Sequence, residues 1–326
     1  MIISRTPFRV SFFGGGTDYY DWYKDHGGQV LSCTIDKYCY ISLRYLPPFF
    51  DEKFRIVWSK IDKVDKISDI SHPAVREALN YFNITNGVEI HHDGDLPART
   101  GLGSSSSFSV GLINCLNTLL MKNINKFELT KDAIHLERDL LKEAVGIQDQ
   151  IAVTHGGFNK IKIFEDGSYD ILNIDTKNKK MEKLKSSILM FYTGISRYAS
   201  EIANDQISSI PKKKKELKLI SEMTDSGFNI LDSGSDLSDF GKLLHESWII
   251  KRTLSKKITN STIDDIYATA LKSGAIGGKL LGAGGGGFII FYVPQESQEN
   301  VRSNLREFLE IPFNFESEGS KIIFNS

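Results

Sequence analysis

The sequence has little of what marks secreted, membrane or polyanion-binding proteins. It carries only three cysteines (Cys33, Cys39 and Cys115), without a CxxC spacing, which is typical of reduced core thiols in a cytoplasm. Lysine plus arginine number 40 and aspartate plus glutamate 41, so the net charge of -1 provides no field to attract nucleic acid or an anionic membrane. No apolar stretch resembles a signal peptide or a bilayer span. We therefore expect a cytoplasmic monomer or homodimer with no nucleic-acid or membrane partner.

The length and the order of predicted elements indicate a two-domain α+β protein. At about 150 residues per domain, 326 residues suffice for two domains with their own cores. Strand-like and helix-like segments alternate irregularly, which favours an α+β class. The polar segment DTKNKKMEKLKSS (175–187) is the best boundary, so we predict an N-terminal domain over 1–184 and a C-terminal domain over 185–326.

Several elements can be predicted one by one. Strands are expected at PFRVSFFG, CTIDKYCYISLRYL, FRIVW, VEIHHDGD and ILMFYTG, and a hairpin at KIKIFEDGSYDILNI, where Asp166-Gly167 favours a tight turn. Apolar residues at positions 108, 112, 115 and 119 predict a helix that begins near Ser104. A second helix is expected over Thr130–Lys142, with Thr130 as its N-cap.

The segment LPARTGLGSSSSFSVG (96–111) joins a predicted strand to a predicted helix through a loop rich in glycine and serine. Bare amides at a helix N-terminus bind anions, because the unpaired N–H groups and the helix dipole point the same way. A flexible linker is the alternative, but linkers are not flanked by a strand and an apolar-periodic helix. The loop lacks the lysine of GxxxxGK[ST], and Ser106 replaces the third glycine of GxGxxG. It is therefore neither of these two phosphate-binding loops.

Two further glycine clusters are candidate ligand contacts. FFGGGTDY (12–19) follows a strand that carries Arg9 and places Asp18 just beyond its glycines. A tight turn with a capping aspartate explains this pattern, but a cation, a carboxylate and bare amides would also suit a polyhydroxylated ligand. GAGGGG (282–287) is a plain strand entry or a site of close backbone approach, since four consecutive glycines carry a large conformational cost.

Two carboxylates stand out as candidates for chemistry. In EAVGIQDQIAV, Asp149 is flanked by apolar residues and glycine, which fits either a partly buried carboxylate near a site or a helix cap. Glu137 lies on the helix predicted from Thr130. One carboxylate and one serine hydroxyl form a modest ligand set for Mg²⁺, which usually keeps several waters and takes other ligands from substrate phosphates.

Four motifs in this order resemble the GHMP kinases, the superfamily of galactokinase, homoserine kinase, mevalonate kinase and phosphomevalonate kinase: PFRVSFFGGGTDY, LPARTGLGSSSSFSVG, GIQDQ and KLLGAGGGGFII. The resemblance implies an N-terminal domain like domain 2 of ribosomal protein S5, a ferredoxin-like C-terminal domain and an active site between them. RTPFRVSFFGGGTDY, VGIQDQIAVTHGGFN and YTGISRYASEIA are most similar to kinases of D-glycero-D-manno-heptose 7-phosphate. Gly15-Gly16 stands where galactokinases carry Glu-His, which argues against galactose.

The resemblance also implies a role for each matching residue. Asp149 would stand beside the acceptor hydroxyl as base or electrostatic partner, with Arg9 close to it. Ser105 and Glu137 would be the Mg²⁺ ligands. The ATP phosphates would contact the loop residues Pro97, Gly101, Leu102, Gly103, Ser104, Ser105, Ser106 and Ser107. The acceptor would contact Gly15, Gly16, Thr17, Asp18, Gly194, Arg197, Gly284 and Gly285.

The implied reaction transfers the γ-phosphoryl group of MgATP to the anomeric oxygen of a heptose 7-phosphate. The 1,7-bisphosphate would serve nucleotide-heptose and surface-glycan synthesis, for example of a capsule. Arg197 is the first candidate to bind the terminal phosphate of the substrate and Lys37 the second, although each could be a surface ion-pair partner. A kinase for another sugar, such as fucose or mannose, and a catalytically silent sensor of ATP and sugar are the alternatives.

Overall fold

The computed structural model describes residues 1–195 and 199–326. Within these residues the strands form one nine-stranded and one four-stranded sheet. The strands are β1 (Ile2–Phe13), β2 (Gly28–Tyr45), β3 (Phe54–Val57), β4 (Ile61–Val64), β5 (Val88–Gly94), β6 (Phe158–Ile163), β7 (Tyr169–Ile174), β8 (Ile188–Tyr192), β9 (Gly277–Leu280), β10 (Phe288–Tyr292), β11 (Leu309–Glu310), β12 (Phe315–Glu316) and β13 (Lys321–Asn325). The α-helices are α1 (Tyr20–His26), α2 (Pro73–Tyr81), α3 (Ser104–Leu119), α4 (Lys126–Ile134), α5 (Gln148–His155), α6 (Lys179–Ser187), α7 (Ala199–Ser209), α8 (Lys214–Asp232), α9 (Leu237–Arg252), α10 (Ser261–Lys272) and α11 (Gln298–Asn304).

The larger sheet is organised around the long strand β2. β1 pairs antiparallel with β2, while β6 pairs with the first part of β2 and β5 with the last part. The short strands β12 and β13 return to this sheet and pair with β2 and β1. The last residues of the chain therefore lie in the sheet formed by the first ones. The domain limits 1–184 and 185–326 remain a prediction.

The smaller sheet is antiparallel, with the order β11-β8-β10-β9. The smaller sheet is connected to the larger one through α9, which packs against aromatic side chains at the end of β1. The ring of Phe12 lies 5.3 Å from Phe158 on β6 and 5.5 Å from Phe240 on α9, and Phe13 lies 5.1 Å from Phe240. All four rings are fully buried. Burial of this kind stabilises by about 1.5–3 kcal/mol per side chain, so the turn after β1 is fixed where the two halves meet.

Most element predictions are confirmed. The expected strands correspond to β1, β2, β3, β5 and β8, the hairpin to β6 and β7, and the helix from Ser104 to α3. In the hairpin turn, Asp166 Oδ1 accepts a hydrogen bond from the Ser168 amide at 2.9 Å. The three cysteines are buried and free. The polar boundary segment contains a helix, α6, because Asn178 caps it and Met181 and Leu184 bury one of its faces.

The predicted start of the second helix was wrong. α4 begins at Lys126, and Thr130 is a buried residue inside it. Asn125 accepts a hydrogen bond from the Glu128 amide, and the Glu128 side chain accepts one from the Asn125 amide. This reciprocal capping box satisfies two helix-end donors at once and places the N-terminus earlier. The helix then continues as a π-helical segment, His135–Leu140.

Candidate active site

The loop between β5 and α3 leaves the helix N-terminus uncapped. Gly101 and Gly103 have φ angles of 85° and 74°, which glycine adopts without a Cβ clash. Gly103 occupies the N-cap position, offers no side chain to the first turn, and that turn contains no acidic residue. The amides of the first turn are thus available to a ligand. This is the geometry of an anion site at a helix N-terminus.

Arg9 and Asp149 form a bidentate ion pair beside this loop. Arg9 Nε donates to Asp149 Oδ1 at 2.7 Å, and Nη2 donates to Oδ2 at 2.6 Å. The remaining Nη1 donates to the Gly101 carbonyl at 2.7 Å, and the Arg9 amide donates to the Leu102 carbonyl at 2.9 Å. Arg9 is buried, whereas 23% of the Asp149 side chain is exposed. The pair therefore presents a carboxylate at a fixed position next to the loop.

The glycine cluster 282–287 packs directly against the first loop. A Cβ added to Gly101 would lie 2.6 Å from the Leu281 carbonyl oxygen, and one added to Gly287 would lie 2.2 Å from the Thr100 carbonyl oxygen. The Phe288 amide donates to the Thr100 carbonyl at 3.1 Å. Only glycine permits backbones to approach this closely. The glycine loops of the two halves of the chain thus meet next to the ion pair.

Asp18 closes the turn that follows β1. Its Oδ1 accepts a hydrogen bond from the Gly16 amide at 2.9 Å, and its Oδ2 accepts one from the Gln148 amide at 3.5 Å. Burial raises the pKa of Asp18, and the nearby Asp149 carboxylate raises it further. Only 3% of Asp18 is exposed. Asp18 therefore orders the turn, and its contact with an acceptor remains a prediction.

Glu137 is fully buried behind the first turn of α3. Its Oε2 accepts a hydrogen bond from Ser106 Oγ at 2.9 Å and another from Gln150 Nε2. Burial raises the pKa of Glu137 to about 7. Ser105, the residue predicted to share a metal ion with Glu137, is exposed on the same turn.

The surroundings of Glu137 fit a divalent cation. Its Oε1 has no hydrogen-bond partner in the part of the chain that the structure describes. Over the same residues, no group of three His, Cys, Asp or Glu side chains is placed to hold a metal by itself. Mg²⁺ would accordingly take its remaining ligands from water and phosphate oxygens, as it commonly does. Glu137 with Ser105 or Ser106 is the set that would hold it.

The other predicted nucleotide contacts have roles within the loop itself. The Pro97 carbonyl accepts a hydrogen bond from the Thr100 hydroxyl at 2.7 Å. Ser104 Oγ accepts one from the Arg99 amide at 3.2 Å. The buried Ser107 donates to the Pro7 carbonyl at 2.9 Å and so connects α3 to β1. At the start of α3, Ser104, Ser106 and Ser107 thus each already have a hydrogen-bond partner within the protein.

The predicted acceptor contacts come from both halves of the chain. Thr17 is buried and donates to a carbonyl of its own turn. Gly284 and Gly285, with φ angles of 117° and 60°, lie in the third glycine cluster. Gly194 follows β8 and has a φ of 74°. Arg197 lies outside the described residues, and Lys37 is half-buried on β2.

Sequence reasoning missed four polar residues at this site. Ser11 donates to Gln148 Oε1 at 2.8 Å, and a Cβ added to Gly15 would lie 3.7 Å from Gln148 Nε2. Ser11 could have been found because it shares the strand face of Arg9 two residues away. Lys251 and Lys279 are buried in the C-terminal half. For Lys279 the signal was a lysine between apolar residues in the strand GGKLL.

None of the helices over residues 1–195 and 199–326 combines the length and the apolar character that a bilayer span requires.

Comparison with known proteins identifies the family. The model of the GHMP kinases N terminal domain matches residues 70–157, and that of the GHMP kinases C terminal domain matches residues 229–311. A relative from Campylobacter jejuni, D-glycero-alpha-D-manno-heptose 7-phosphate kinase, is 27% identical over 98% of each chain. A galactokinase from Lacticaseibacillus casei is 24% identical over 92% of this chain and 87% of its own. The crystal structure of a D-glycero-D-manno-heptose 1-phosphate kinase from Bacteroides thetaiotaomicron covers 100% of both chains, with a TM-score of 0.77 and 22% identity. With both domains in an α+β fold and the glycine loops meeting at the Arg9–Asp149 pair, this chain is a kinase that belongs to the GHMP kinase family.

Proposed function

We propose that the protein phosphorylates the anomeric oxygen of D-glycero-D-manno-heptose 7-phosphate with ATP, giving the 1,7-bisphosphate. The observation that carries this proposal is the position of the Arg9–Asp149 pair against the phosphate loop. A Cβ added to Gly103 would lie 3.5 Å from Asp149 Oδ2 and 3.1 Å from Arg9 Cγ. An acceptor hydroxyl bound at Asp149 would therefore meet a phosphoryl group bound at the loop. The name of the Campylobacter jejuni relative supports a heptose 7-phosphate as the acceptor.

Phosphoryl transfer depends mainly on alignment and on neutralisation of charge, which these residues can supply. The amides at the start of α3 would bind the ATP phosphates. Arg9 fixes both oxygens of Asp149, so that the carboxylate can orient the acceptor hydroxyl and receive its proton. Glu137 with Ser105 or Ser106 would hold Mg²⁺, which when bound neutralises phosphate charge. Because an anomeric hydroxyl is more acidic than an alkyl alcohol, orientation by Asp149 matters as much as proton removal.

The product is proposed to feed nucleotide-heptose and surface-glycan synthesis, such as that of a capsule. Such a pathway begins from a soluble sugar phosphate and ATP. The cytoplasm is the compartment that supplies both, and the three free buried cysteines suit its reducing conditions.

A panel of acceptors tests the proposed substrate. Heptoses and hexoses, each free and terminally phosphorylated, are mixed with the protein and MgATP, and ADP release is measured. We expect the highest kcat/KM for the heptose 7-phosphate. Phosphorus NMR of the product should show a new signal at the anomeric position. The Bacteroides thetaiotaomicron neighbour is named for a heptose 1-phosphate, so the position of the new phosphate has to be measured. Phosphorylation of an oxygen other than the anomeric one would overturn the assigned acceptor position.

A hexose kinase is the second candidate, because a galactokinase is among the relatives that span nearly the whole chain. The same panel separates the two: a higher kcat/KM for free galactose, fucose or mannose than for any sugar phosphate would favour the hexose. The absence of ADP release with every acceptor, together with binding of ATP, would favour a sensor instead.

A further inference from the structure

Lys279, on β9, is a buried cation whose hydrogen-bonding capacity is mostly unused. It is 3% exposed, and its Nζ donates to the Phe12 carbonyl at 2.7 Å. A lysine ammonium has three donors. Over residues 1–195 and 199–326, the other two have no acceptor, and no carboxylate lies within 4.0 Å of Nζ. Because burying an uncompensated charge destabilises a fold, this position indicates a partner from outside the chain.

Two more cations lie near Lys279. Lys251, on α9, is 7% exposed and donates to the carbonyls of Gly282 at 2.5 Å and Leu280 at 3.4 Å. Burial lowers the pKa of Lys279 well below its ordinary value, and the positive charges of Lys251 and Arg9 lower it further. Arg9 is already paired with Asp149. The Asp149 carboxylate is therefore already paired, and it does not compensate the charge that Lys279 carries when it is protonated.

We propose that Lys279, together with Lys251, binds the phosphate group that the acceptor sugar carries, and thereby makes the enzyme select sugar phosphates over free sugars. This assignment rests on the proposed function. A phosphate dianion between two ammonium groups forms charge-assisted hydrogen bonds with both. It would also supply the missing acceptors for the Lys279 donors.

The position of the lysines favours the acceptor over the nucleotide. The ATP phosphates have their own donors in the amides at the start of α3, and their proposed metal ligand, Glu137, lies behind that turn. Lys279 instead contacts the carbonyl of Phe12, two residues before the glycines 14–16 of the proposed acceptor side. Both lysines also come from the C-terminal half of the chain, through α9 and β9.

The test compares one sugar with and without its phosphate. Lys279→Met and Lys251→Met are assayed on the heptose 7-phosphate and on the free heptose, alongside the control Lys272→Met, an exposed residue of α10. For Lys279→Met and Lys251→Met we expect a weaker preference for the phosphorylated acceptor, measured as its kcat/KM divided by the kcat/KM of the free sugar. This ratio should fall by about 10- to 100-fold, the range of a lost hydrogen bond to a charged group. The KM for ATP should change by less than about threefold, and Lys272→Met should leave both acceptors unchanged.

Thermal unfolding without ligand provides a readout independent of activity. Lys279→Met removes a buried amine that has one hydrogen-bond acceptor and no carboxylate partner among the described residues, so the free variant should be at least as heat-stable as the wild type. The sugar phosphate should then raise the Tm of the wild type more than that of the variant. An equal loss of kcat/KM on both acceptors, a selective rise in the KM for ATP, or a lower Tm of the free variant would each overturn the assignment.

The two proposals fail in different ways. If the wild type prefers phosphorylated acceptors and Lys279→Met keeps that preference, only the lysine assignment is lost. If the wild type itself shows no preference for phosphorylated acceptors, the proposed substrate is lost. An effect of inorganic phosphate on the Tm of the wild type but not of Lys279→Met would still identify the anion site in that case.

Discussion

Glu137→Gln should make the fold more stable at high pH and should at the same time lower the kinase activity. Glu137 is fully buried, and burial raises its pKa from 4.5 to about 7. A carboxyl group whose pKa is higher in the folded state than in the unfolded state stabilises the fold when it is protonated. The stability that Glu137 contributes is therefore fully present below pH 4.5 and is lost as the pH rises through about 7. Glutamine keeps the shape and hydrogen-bonding capacity of the protonated acid but does not ionise.

The size of the effect follows from the two pKa values. One pKa unit corresponds to about 1.4 kcal/mol, so the ionised carboxylate costs the folded protein roughly 3 kcal/mol at pH 8. Glu137→Gln should therefore raise the free energy of unfolding by up to that amount at pH 8 and change it little at pH 4.5. Mg²⁺ with ATP should stabilise the wild type more than the variant, because a bound cation would compensate the carboxylate. The variant should lose most of its kinase activity.

Urea unfolding at pH 4.5, 6 and 8 measures the free energy of unfolding of both proteins. The control is Glu307→Gln, since Glu307 is an exposed carboxylate far along the chain after α11. We expect the control to show no comparable pH-dependent gain. A Glu137→Gln variant that is less stable than the wild type at pH 8, or that gains equally at all three pH values, would refute the reasoning from burial.

Three further variants test the site and the packing around it. Asp149→Asn should keep the fold and lower kcat by about 10²- to 10⁴-fold, measured by ADP release; near-normal turnover would remove the proposed role. Gly101→Ala should abolish nucleotide binding in a titration with an ATP analogue, because its Cβ would lie 2.6 Å from the Leu281 carbonyl oxygen at a φ of 85°; unchanged affinity would contradict the close approach. Phe12→Ala should lower the free energy of unfolding by about 3–5 kcal/mol in urea, since its ring is fully buried between the two halves; a loss below 1 kcal/mol would show that this contact contributes little.

Local patterns in the sequence were enough to predict the elements that carry the site. The spacing of apolar residues predicted α3, and the glycine-rich loop before it predicted an uncapped helix N-terminus. Where two local signals competed, the prediction of α4 failed, because the capping box of Asn125 and Glu128 outweighed the threonine chosen as N-cap. The resemblance to a known family supplied the expectation that Arg9 and Asp149 lie together.

By itself, then, the sequence determined the strand-loop-helix units, the three glycine clusters and the α+β class, because each depends on residues close together in the chain. Only the tertiary structure decided which side chains meet across long separations. It paired Arg9 with Asp149, gave Glu137 the partner Ser106, returned β12 and β13 to the first sheet and buried Lys279 against Phe12. These contacts depend on strand register and on the packing of the two halves, and no local pattern of residue types encodes either one.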